Sequence, residues 1–207
     1  MPESVLQSVL PIVTMTIATS ENIQSAARRI ADVLRQPGAV ALVPTETVYG
    51  LICRASDAAA VEKIRNLKHR DPSKFFGWFI RDYMTPEKYG LVYSDAAKKL
   101  AECYFPGALT LIVNTVQGGT QAVRVPEHPL MFELLKYFDE PLVQTSANAS
   151  GMPDALSCRQ ALSQLDGEPD VYFEGEDLPA GAAGSTIVNT TVIPPQIIRQ
   201  GKLAVKF

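Results

Sequence analysis

The feature that most constrains the fold of this chain is the alternation of short apolar runs with amphipathic segments. Residues 39–43 read AVALV, and a run without any polar residue is typical of a strand that is covered on both faces. The segment before it, residues 20–38, predicts a helix because Ile23, Ala27 and Ile30 recur on one face. A doubly covered strand next to an amphipathic helix indicates an α/β arrangement.

The same two patterns recur along the rest of the chain. Helical periodicity predicts further helices at residues 57–70, 94–104, 129–138 and 156–165. Short apolar runs predict further strands at residues 75–80, 109–114, 121–125, 141–145, 171–173, 185–191 and 196–200. Because helices and strands interleave and strands then crowd the last third, we expect one α/β domain around a twisted mixed sheet, spanning residues 15–207. Residues 1–14 are expected to form a flexible N-terminal extension.

Composition permits a full core and limits the classes of partner. Hydrophobic residues make up 46% of the 207 residues and charged residues 20%, which is typical of a globular domain and not of a disordered chain. The net charge of -3 argues against a protein whose whole surface binds nucleic acid. A local basic cavity stays compatible with this net charge.

The cysteines and histidines do not form a metal-binding pattern. Cys53, Cys103 and Cys158 are far apart in the sequence, and only His69 and His128 could join them. The three thiols are therefore expected to be reduced and mostly buried, as in a cytosolic protein. No apolar run reaches the roughly 18 residues that a bilayer requires, and the first residues lack the basic start of a signal peptide. We therefore expect a cytoplasmic protein without membrane contact.

Polar residues collect where predicted strands end. The strand at 39–43 runs into PTET at 44–47, the strand at 141–145 runs into the TSAN of 145–148, and Arg124 lies within another strand. Alone, each has a simpler explanation, since Thr-Ser pairs are common in turns and helix caps and a strand arginine often pairs with a carboxylate. Ligands of open α/β sheets lie in the crevices at strand ends. The repetition therefore predicts a polar pocket.

Lys68 and Arg70 lie at the end of the predicted helix 57–70, and two interpretations are open. Cations stabilise the C-terminus of a helix and are usually solvated. Alternatively, the planar fork of Arg70 and the compact charge of Lys68 suit a polyphosphate. The chain contains neither GxxxxGK[ST] nor GxGxxG, so a nucleotide would bind without either common glycine loop. No pairing of a nucleophile with a base is supported, and we assign neither a catalytic residue nor a metal ligand.

Between about Gly38 and Gly201 the chain contains seven short motifs in a fixed order, which are PTETVYGL, KHR, FPGALTLIV, AVRVPEHP, TSANASG, STIVN and IIRQG. Together they resemble the YrdC-like family of threonylcarbamoyl-AMP synthases. The resemblance implies a twisted α/β fold with helices around a large electropositive cavity. It also implies a nucleotidyltransferase, an L-threonylcarbamoyladenylate synthase that makes threonylcarbamoyl-AMP and pyrophosphate from L-threonine, bicarbonate and ATP. Mg²⁺ is expected to accompany the ATP.

The resemblance also implies partners. The product of the family is used by downstream threonylcarbamoyl transferase proteins, which modify the adenosine next to the anticodon of tRNAs that read ANN codons. Contact with tRNA or double-stranded RNA is compatible with this role. The chain resembles the short, single-domain type of the family, which depends on separate transferases.

Eight residues take expected roles from the resemblance. The ATP-binding residues are expected to be Lys68, Arg70, Ser146, Asn148, Ser185 and Arg199. The threonine-binding residues are expected to be Thr45, as a wall of the threonine pocket, and Arg124, as the partner of the threonine carboxylate. Glu46 is left open, because it either orients its neighbours or lies near the amine of the substrate.

The chain departs from the family pattern after Arg70. Asp71-Pro72 displaces the expected proline by one position, and Phe75-Phe76 replaces a Pro-Leu pair. Because these residues flank the expected phosphate contacts, a second interpretation is a non-synthase relative that binds RNA or a nucleotide in the same cavity. Threonine-dependent release of pyrophosphate distinguishes the two.

Overall fold

A mixed sheet of eleven strands organises residues 14–207, which are the residues that the computed structural model describes. The strands are β1 (Met15–Ala18), β2 (Ala41–Val43), β3 (Gly50–Arg54), β4 (Gly77–Phe79), β5 (Leu91–Val92), β6 (Leu109–Thr115), β7 (Thr120–Arg124), β8 (Leu142–Ser146), β9 (Val171–Glu174), β10 (Thr186–Asn189) and β11 (Gln196–Arg199). The helices are α1 (Ile23–Leu34), α2 (Ala58–Lys68), α3 (Asp95–Tyr104), α4 (Pro129–Leu135) and α5 (Cys158–Gln164), with a 3-10 turn at Pro86–Tyr89.

This architecture confirms the predicted fold class, an α/β fold around a mixed sheet. Every predicted helix and strand has a counterpart, although the strand expected at 75–80 is shorter and becomes β4. The sequence patterns do not predict β1, β3 or β5. Of the expected N-terminal extension, residues 1–13 lie outside the described residues. Among residues 14–207, no helix has both the length and the apolar character that a bilayer crossing needs.

The sheet combines parallel and antiparallel neighbours. Its strand order is β1-β9-β2-β3-β8-β4-β7-β6-β10-β11, and β5 pairs with β6 outside this path. Strands that follow one another closely, such as β2 with β3 and β6 with β7, run antiparallel. Parallel pairs such as β4 with β7 and β6 with β10 join distant parts of the chain, because parallel pairing requires a long crossover.

The apolar run at 40–43 is buried against helices on both faces of the sheet. Ala41 and Val43 pack with α1 and α4, whereas Val40 and Leu42 pack with α2 and α5. All four residues are fully buried. Full burial of a Val or Leu side chain contributes about 1.5–3 kcal/mol, so this position in the sheet favours an uninterrupted apolar run. Helix α3 covers a third cluster against β6 and β7.

Lys68 and Arg70, at the end of α2, lie in different environments. His69 follows the helix in the left-handed conformation, with φ 49°, and its N–H bonds back to the carbonyl oxygens of the last turn. This conformation is uncommon for a residue with a side chain and ends the helix sharply. Lys68, before the turn, is buried, whereas Arg70, after it, is half-buried.

Candidate functional site

A cavity of about 220 Å³ lies over the middle strands of the sheet. Ala122 and Arg124 of β7 line it together with Gln144 and Ser146 of β8, because residues two apart in a strand share one face. Thr110 of β6 belongs to the same lining. The cavity therefore occupies a face of the sheet as well as the strand ends at which the sequence places it.

Arginines dominate the charge of this cavity. Arg70, Arg124 and Arg199 line it, and Asp154 is the one carboxylate among the described residues of the lining. This balance agrees with the electropositive cavity that the sequence predicts and favours anionic ligands. Within residues 14–207, no cluster of three or more His, Cys, Asp or Glu side chains could hold a metal ion.

Arg124 is the most firmly held of the three arginines. Its Nε donates to the carbonyl oxygen of Gly107 at 3.1 Å, its Nη1 to Thr47 Oγ1 at 3.0 Å, and its Nη2 to the carboxylate of Glu46. The guanidinium carbon also lies 5.6 Å from the centroid of the Phe79 ring. Because a guanidinium has five N–H groups, two of them, one on each terminal nitrogen, have no protein partner among the described residues. Arg124 is thus buried, pre-positioned and still able to bind an anion.

Glu46 supplies the counter-charge for Arg124 but uses only one oxygen to do so. Its Oε1 accepts from Arg124, whereas its Oε2 is buried and has no hydrogen-bond partner among the described residues. Lys202 Nζ donates at 3.3 Å to the backbone carbonyl of Glu46 and not to its carboxylate. Burial lowers the pKa of the nearby His128 imidazole, and the negative charge of Glu46 partly opposes this shift.

Thr45 shapes the turn before β3 and does not line the cavity. Its hydroxyl accepts the backbone N–H groups of Thr47 and Val48, each at 3.2 Å, and donates to the carbonyl oxygen of Val48 at 2.7 Å. Thr47, whose hydroxyl lies 2.9 Å from that of Thr45, reaches the cavity and contacts Arg124. Thr45 therefore positions Thr47, which is the threonine in the cavity wall.

Lys68, Ser146 and Asn148 form one hydrogen-bonded cluster behind the cavity. Lys68 Nζ donates to the backbone carbonyl oxygens of Ser146 and Asn148 and lies 3.5 Å from Asn148 Oδ1. Ser146 Oγ bonds to the same Oδ1, and Asn148 Nδ2 donates to the carbonyl oxygens of Ala149 and Met152 at 3.1 Å and 2.6 Å. The cluster fixes the loop after β8, and only Ser146 of its three members lines the cavity.

The environment of Lys68 differs from that of a solvated cation at a helix C-terminus. Lys68 is only 2% exposed, so it is not solvated, and its ammonium group faces carbonyl oxygens of the protein. Burial, followed by the positive charge of Arg70, lowers the pKa of Lys68 to about 8. Lys68 therefore supports the loop that carries Ser146, and its contact with ATP stays a prediction.

Arg70 lines the cavity and retains a donor. Its Nη2 donates to the carbonyl oxygen of Phe75 at 2.8 Å, and its guanidinium carbon lies 4.9 Å from the centroid of the Phe76 ring. Its Nε is buried and has no hydrogen-bond partner among the described residues. Burial, and then the charge of Arg65, lowers the pKa of Arg70. The unusual segment after Arg70 thus keeps this side chain in the cavity, and it leaves Phe75 89% exposed at the lining.

Ser185 and Arg199 form a further wall. Ser185 Oγ lies 2.6 Å from Thr110 Oγ1, and Arg199 donates to the carbonyl oxygen of Ser185 from Nε at 3.2 Å and from Nη2 at 2.9 Å. A Cβ at Gly184 would lie 2.8 Å from Arg199 Nη2, so a larger residue there would displace the end of this side chain. A Cβ at Gly201 would overlap the carbonyl oxygen of Gly184. Backbone contacts therefore require glycine at position 201, and Gly184 leaves space for the Arg199 guanidinium.

The eight residues with expected roles divide into two groups. Five line the cavity, namely Arg70, Arg124, Ser146, Ser185 and Arg199. Thr45, Lys68 and Asn148 instead hold the loops that present lining residues. The structure brings all eight into one region, and their contacts with substrates stay predictions.

Thr47, Thr110 and Gln144 are among the lining residues to which the sequence assigns no role. The alternation of strands is the signal that could find two of them. Gln144 stands two residues before Ser146 in β8 and therefore shares its face, and Thr110 is the polar interruption of the apolar run in β6. Thr47 is missed because the motif PTET offers two hydroxyls, and only the bonds of the folded turn decide which one faces inward.

Comparisons with known proteins identify the family of this chain. The family model described as "Telomere recombination", which covers the Sua5, YciO and YrdC proteins, matches residues 32–201. A protein of Mycobacterium tuberculosis is 35% identical over 178 residues, which cover 81% of this chain and 80% of that relative. The threonylcarbamoyl-AMP synthase of Pyrococcus abyssi is 31% identical over 199 residues, which cover 92% of this chain and 58% of the relative.

A solved structure of the P. abyssi protein has a fold similar to that of this chain. The crystal structure of P. abyssi Sua5 complexed with L-threonine matches with a TM-score of 0.78 at 27% identity, and the match covers 92% of this chain and 58% of that one. This chain thus spans little more than half of the P. abyssi protein. With residues 32–201 matched by the family model, the chain belongs to the Sua5/YciO/YrdC family, as its motifs predict.

Proposed function

We propose that this chain is an L-threonylcarbamoyladenylate synthase, which forms threonylcarbamoyl-AMP and pyrophosphate from L-threonine, bicarbonate and ATP. The observation that carries the proposal is a single cavity in which Arg70 and Arg124 both keep N–H groups without a protein partner among the described residues. The reaction has to hold anionic groups of three reactants side by side. The name of the P. abyssi relative and its complex with L-threonine support the same reaction.

Arg124 binds the carboxylate of threonine in this proposal. A guanidinium with two spare N–H groups matches the two oxygens of a carboxylate, and the remaining bonds of Arg124 hold the fork in place before the substrate arrives. Thr45 contributes to the threonine pocket through Thr47, whose hydroxyl it positions beside the guanidinium.

ATP binds against Arg70, Ser146, Ser185 and Arg199. The buried Nε of Arg70 is the donor best placed for a phosphate oxygen, since burial strengthens its interaction with an anion. Lys68 and Asn148 support ATP binding by fixing the loop that carries Ser146. ATP enters as its Mg²⁺ complex. Because Asp154 is the one carboxylate in the described lining, the ion would be held mainly by phosphate oxygens and water.

The chemistry then needs positioning more than it needs a nucleophile from the protein. The amine of threonine forms a C–N bond to bicarbonate, and water leaves to give a carbamate. A carbamate oxygen then attacks the α-phosphorus of ATP, and pyrophosphate leaves with the electrons of the broken P–O bond. Holding the reactants together and surrounding the phosphates with arginines lower the barriers of both steps.

The product serves downstream threonylcarbamoyl transferase proteins that modify tRNA, as in the family that this chain resembles. Contact of this chain with tRNA or double-stranded RNA, and its cytoplasmic location, stay predictions. The physical basis for the RNA contact is the local positive charge of the cavity.

The test is release of pyrophosphate from ATP in the presence of Mg²⁺ and radiolabelled bicarbonate, with and without L-threonine. We expect release that depends on threonine, with label recovered in an adenylate. Arg70→Ala should lower kcat/KM for ATP by about 100-fold, because it removes a charged donor at the phosphates. Lys74→Ala is the matched control, since it removes a nearby cation of the same segment that does not line the cavity. Absence of threonine-dependent pyrophosphate would instead identify a relative that binds a nucleotide or RNA without making the adenylate.

A further inference from the structure

The buried oxygen of Glu46 is an acceptor that the protein leaves without a donor. Glu46 Oε2 has almost no contact with solvent and no hydrogen-bond partner among the described residues, although Oε1 of the same carboxylate is paired with Arg124. Buried polar atoms in folded proteins are nearly always satisfied, and an exception indicates either strain or a role in binding. An orphaned oxygen on a charged group is the costlier kind of exception.

Neither Lys202 nor His128 donates a hydrogen bond to this oxygen. Lys202 donates to the backbone carbonyl of Glu46, and the Nδ1 of His128 accepts the backbone N–H of Leu130 at 3.2 Å. Oε2 therefore lacks a donor among the described residues, and Glu46, which does not itself line the cavity, adjoins it through Arg124. Since Glu46 touches Arg124, a donor supplied by a ligand would lie next to whatever anion Arg124 binds.

A guanidinium in contact with a carboxylate that has an oxygen to spare is the complement of an amino acid zwitterion. The α-carboxylate and the α-ammonium group of an amino acid are attached to the same carbon, so their partners in a protein have to be neighbours. Arg124 has two spare N–H groups and lines the cavity, and Glu46 is its ion-pair partner. We propose that Glu46 Oε2 binds the α-ammonium group of the amino acid whose carboxylate binds Arg124, so that the pair selects zwitterions over simple carboxylic acids. This inference rests on the proposed function, which supplies threonine as the ligand.

The contact also bears on the first chemical step. The ammonium group has to lose a proton before its nitrogen can form the C–N bond to bicarbonate. With the ammonium on Glu46, the proton has a carboxylate oxygen to which it can pass, and the nitrogen lone pair is then released towards the bicarbonate carbon.

The competing explanation is that Glu46 only orients Arg124. The two explanations differ in what a ligand without an amine should do. If Glu46 only orients the arginine, removing its charge weakens every carboxylate ligand by the same factor. If Glu46 binds the ammonium group, removing its charge weakens zwitterions only, and a carboxylic acid without an amine loses a repulsive neighbour.

The experiment measures binding of L-threonine and of 3-hydroxybutyrate, which is threonine with hydrogen in place of the ammonium group. Isothermal titration in the presence of α,β-methylene-ATP, which cannot release pyrophosphate, separates binding from turnover. Glu46→Gln keeps an oxygen for Arg124 and removes the charge. We expect this variant to bind threonine about 10- to 100-fold more weakly, as for loss of a buried charge-assisted hydrogen bond, and to bind 3-hydroxybutyrate at least as tightly as the unaltered protein does.

Two further variants keep the test decisive. Glu127→Gln removes an exposed carboxylate from the segment after β7 and should leave both affinities unchanged. Glu46→Asp keeps the charge and should keep the preference for threonine over 3-hydroxybutyrate, which covers the case in which Glu46→Gln does not fold. Equal weakening of both ligands in Glu46→Gln, or unchanged threonine affinity, overturns the inference.

The outcomes also separate this inference from the proposed function. If the unaltered protein prefers threonine through Glu46 but releases no pyrophosphate from ATP, the zwitterion site stands and the synthase assignment fails. If pyrophosphate is released but the unaltered protein binds 3-hydroxybutyrate as well as threonine, the synthase assignment stands and the role of Glu46 is refuted.

Discussion

Arg124 and Lys68 are both buried cations beside the same cavity, yet the protein uses them in opposite ways. Arg124 is paired with a carboxylate, lines the cavity and keeps two N–H groups for a ligand. Lys68 has no carboxylate within ion-pair distance among the described residues, and its contacts are carbonyl and amide oxygens of the loop after β8. Arg124 thus keeps donors for an anionic ligand, whereas the donors of Lys68 are bonded to the protein itself.

The difference follows from the chemistry of the two side chains. A guanidinium carries five donors in a rigid plane, so three of them can be fixed by the protein while others stay available. An ammonium group has three donors at a single point, and the carbonyl oxygens of two residues and an amide oxygen account for them. A motif residue can therefore be essential for the site without touching a substrate, and stability measurements should distinguish the two kinds.

The largest effect is expected for Arg124→Met. This substitution leaves the Glu46 carboxylate buried without its ion-pair partner, which costs about 3–5 kcal/mol of unfolding free energy. Urea denaturation measures the loss. The double variant Arg124→Met, Glu46→Gln should recover a large part of it, because no unpaired charge then remains. If the single and double variants were equally unstable, the ion pair would not be what makes Arg124 structurally important.

A smaller loss of stability is expected for Lys68→Met. The substitution keeps the length of the side chain but leaves the carbonyl oxygens of Ser146 and Asn148 without their donor, at a cost of about 2 kcal/mol. Since Ser146 lines the cavity, the affinity for ATP should fall with the stability. Lys63→Met is not a suitable control because Lys63 pairs with Asp170, so Lys74→Met, at an exposed position, is preferred. An unchanged denaturation midpoint in Lys68→Met would show that the cluster does not depend on the lysine.

Lys68 should also give the stability a pH dependence of defined sign. Burial lowers its pKa in the folded protein to about 8, below its ordinary value of 10.5, so between these values the unfolded chain binds more protons than the folded one. The free energy of unfolding should therefore gain a contribution that rises from pH 8 towards pH 10.5, by up to about 1.4 kcal/mol per pH unit. The measurement is the difference between the unaltered protein and Lys68→Met over this range. A difference that stays constant or falls with pH contradicts the depressed pKa.

The sequence predicts the layers of this fold better than it predicts the direction of individual side chains. The run AVALV predicts cover on both faces, and the structure provides it, because the apolar character of every residue in the run is visible in the local sequence. β3 is not predicted, since its residues include Gly50 and Arg54 and its place is decided by pairing with β2 and β8. Strand pairing is a contact between distant residues, and local periodicity carries no information about it.

The same limit applies to the site. The motifs locate Arg124 and Lys68 in the same region but do not reveal that one faces the cavity and the other faces away from it. For Lys68 and Arg70, which are only two residues apart, the difference in direction arises at His69, whose left-handed conformation turns the chain between them. In PTET, likewise, the choice between Thr45 and Thr47 is made by hydrogen bonds within the turn. Residue type and spacing predict which groups meet, whereas the backbone turn decides which of them stays available.

The smallest effect is expected for Thr47→Val, which tests how far the pre-positioning of Arg124 depends on one neutral contact. Valine keeps the shape of threonine but removes the oxygen that accepts from Arg124 Nη1 at 3.0 Å. The bonds to Gly107 and Glu46 remain, but the contact with the Thr45 hydroxyl is lost as well, so the unfolding free energy should fall by about 1–2 kcal/mol. The KM for threonine should rise severalfold while the KM for ATP stays unchanged. Thr45→Val should instead disturb the turn itself, since the Thr45 hydroxyl makes three bonds to its backbone. A larger rise in the KM for ATP than in the KM for threonine would contradict the assignment of threonine to Arg124.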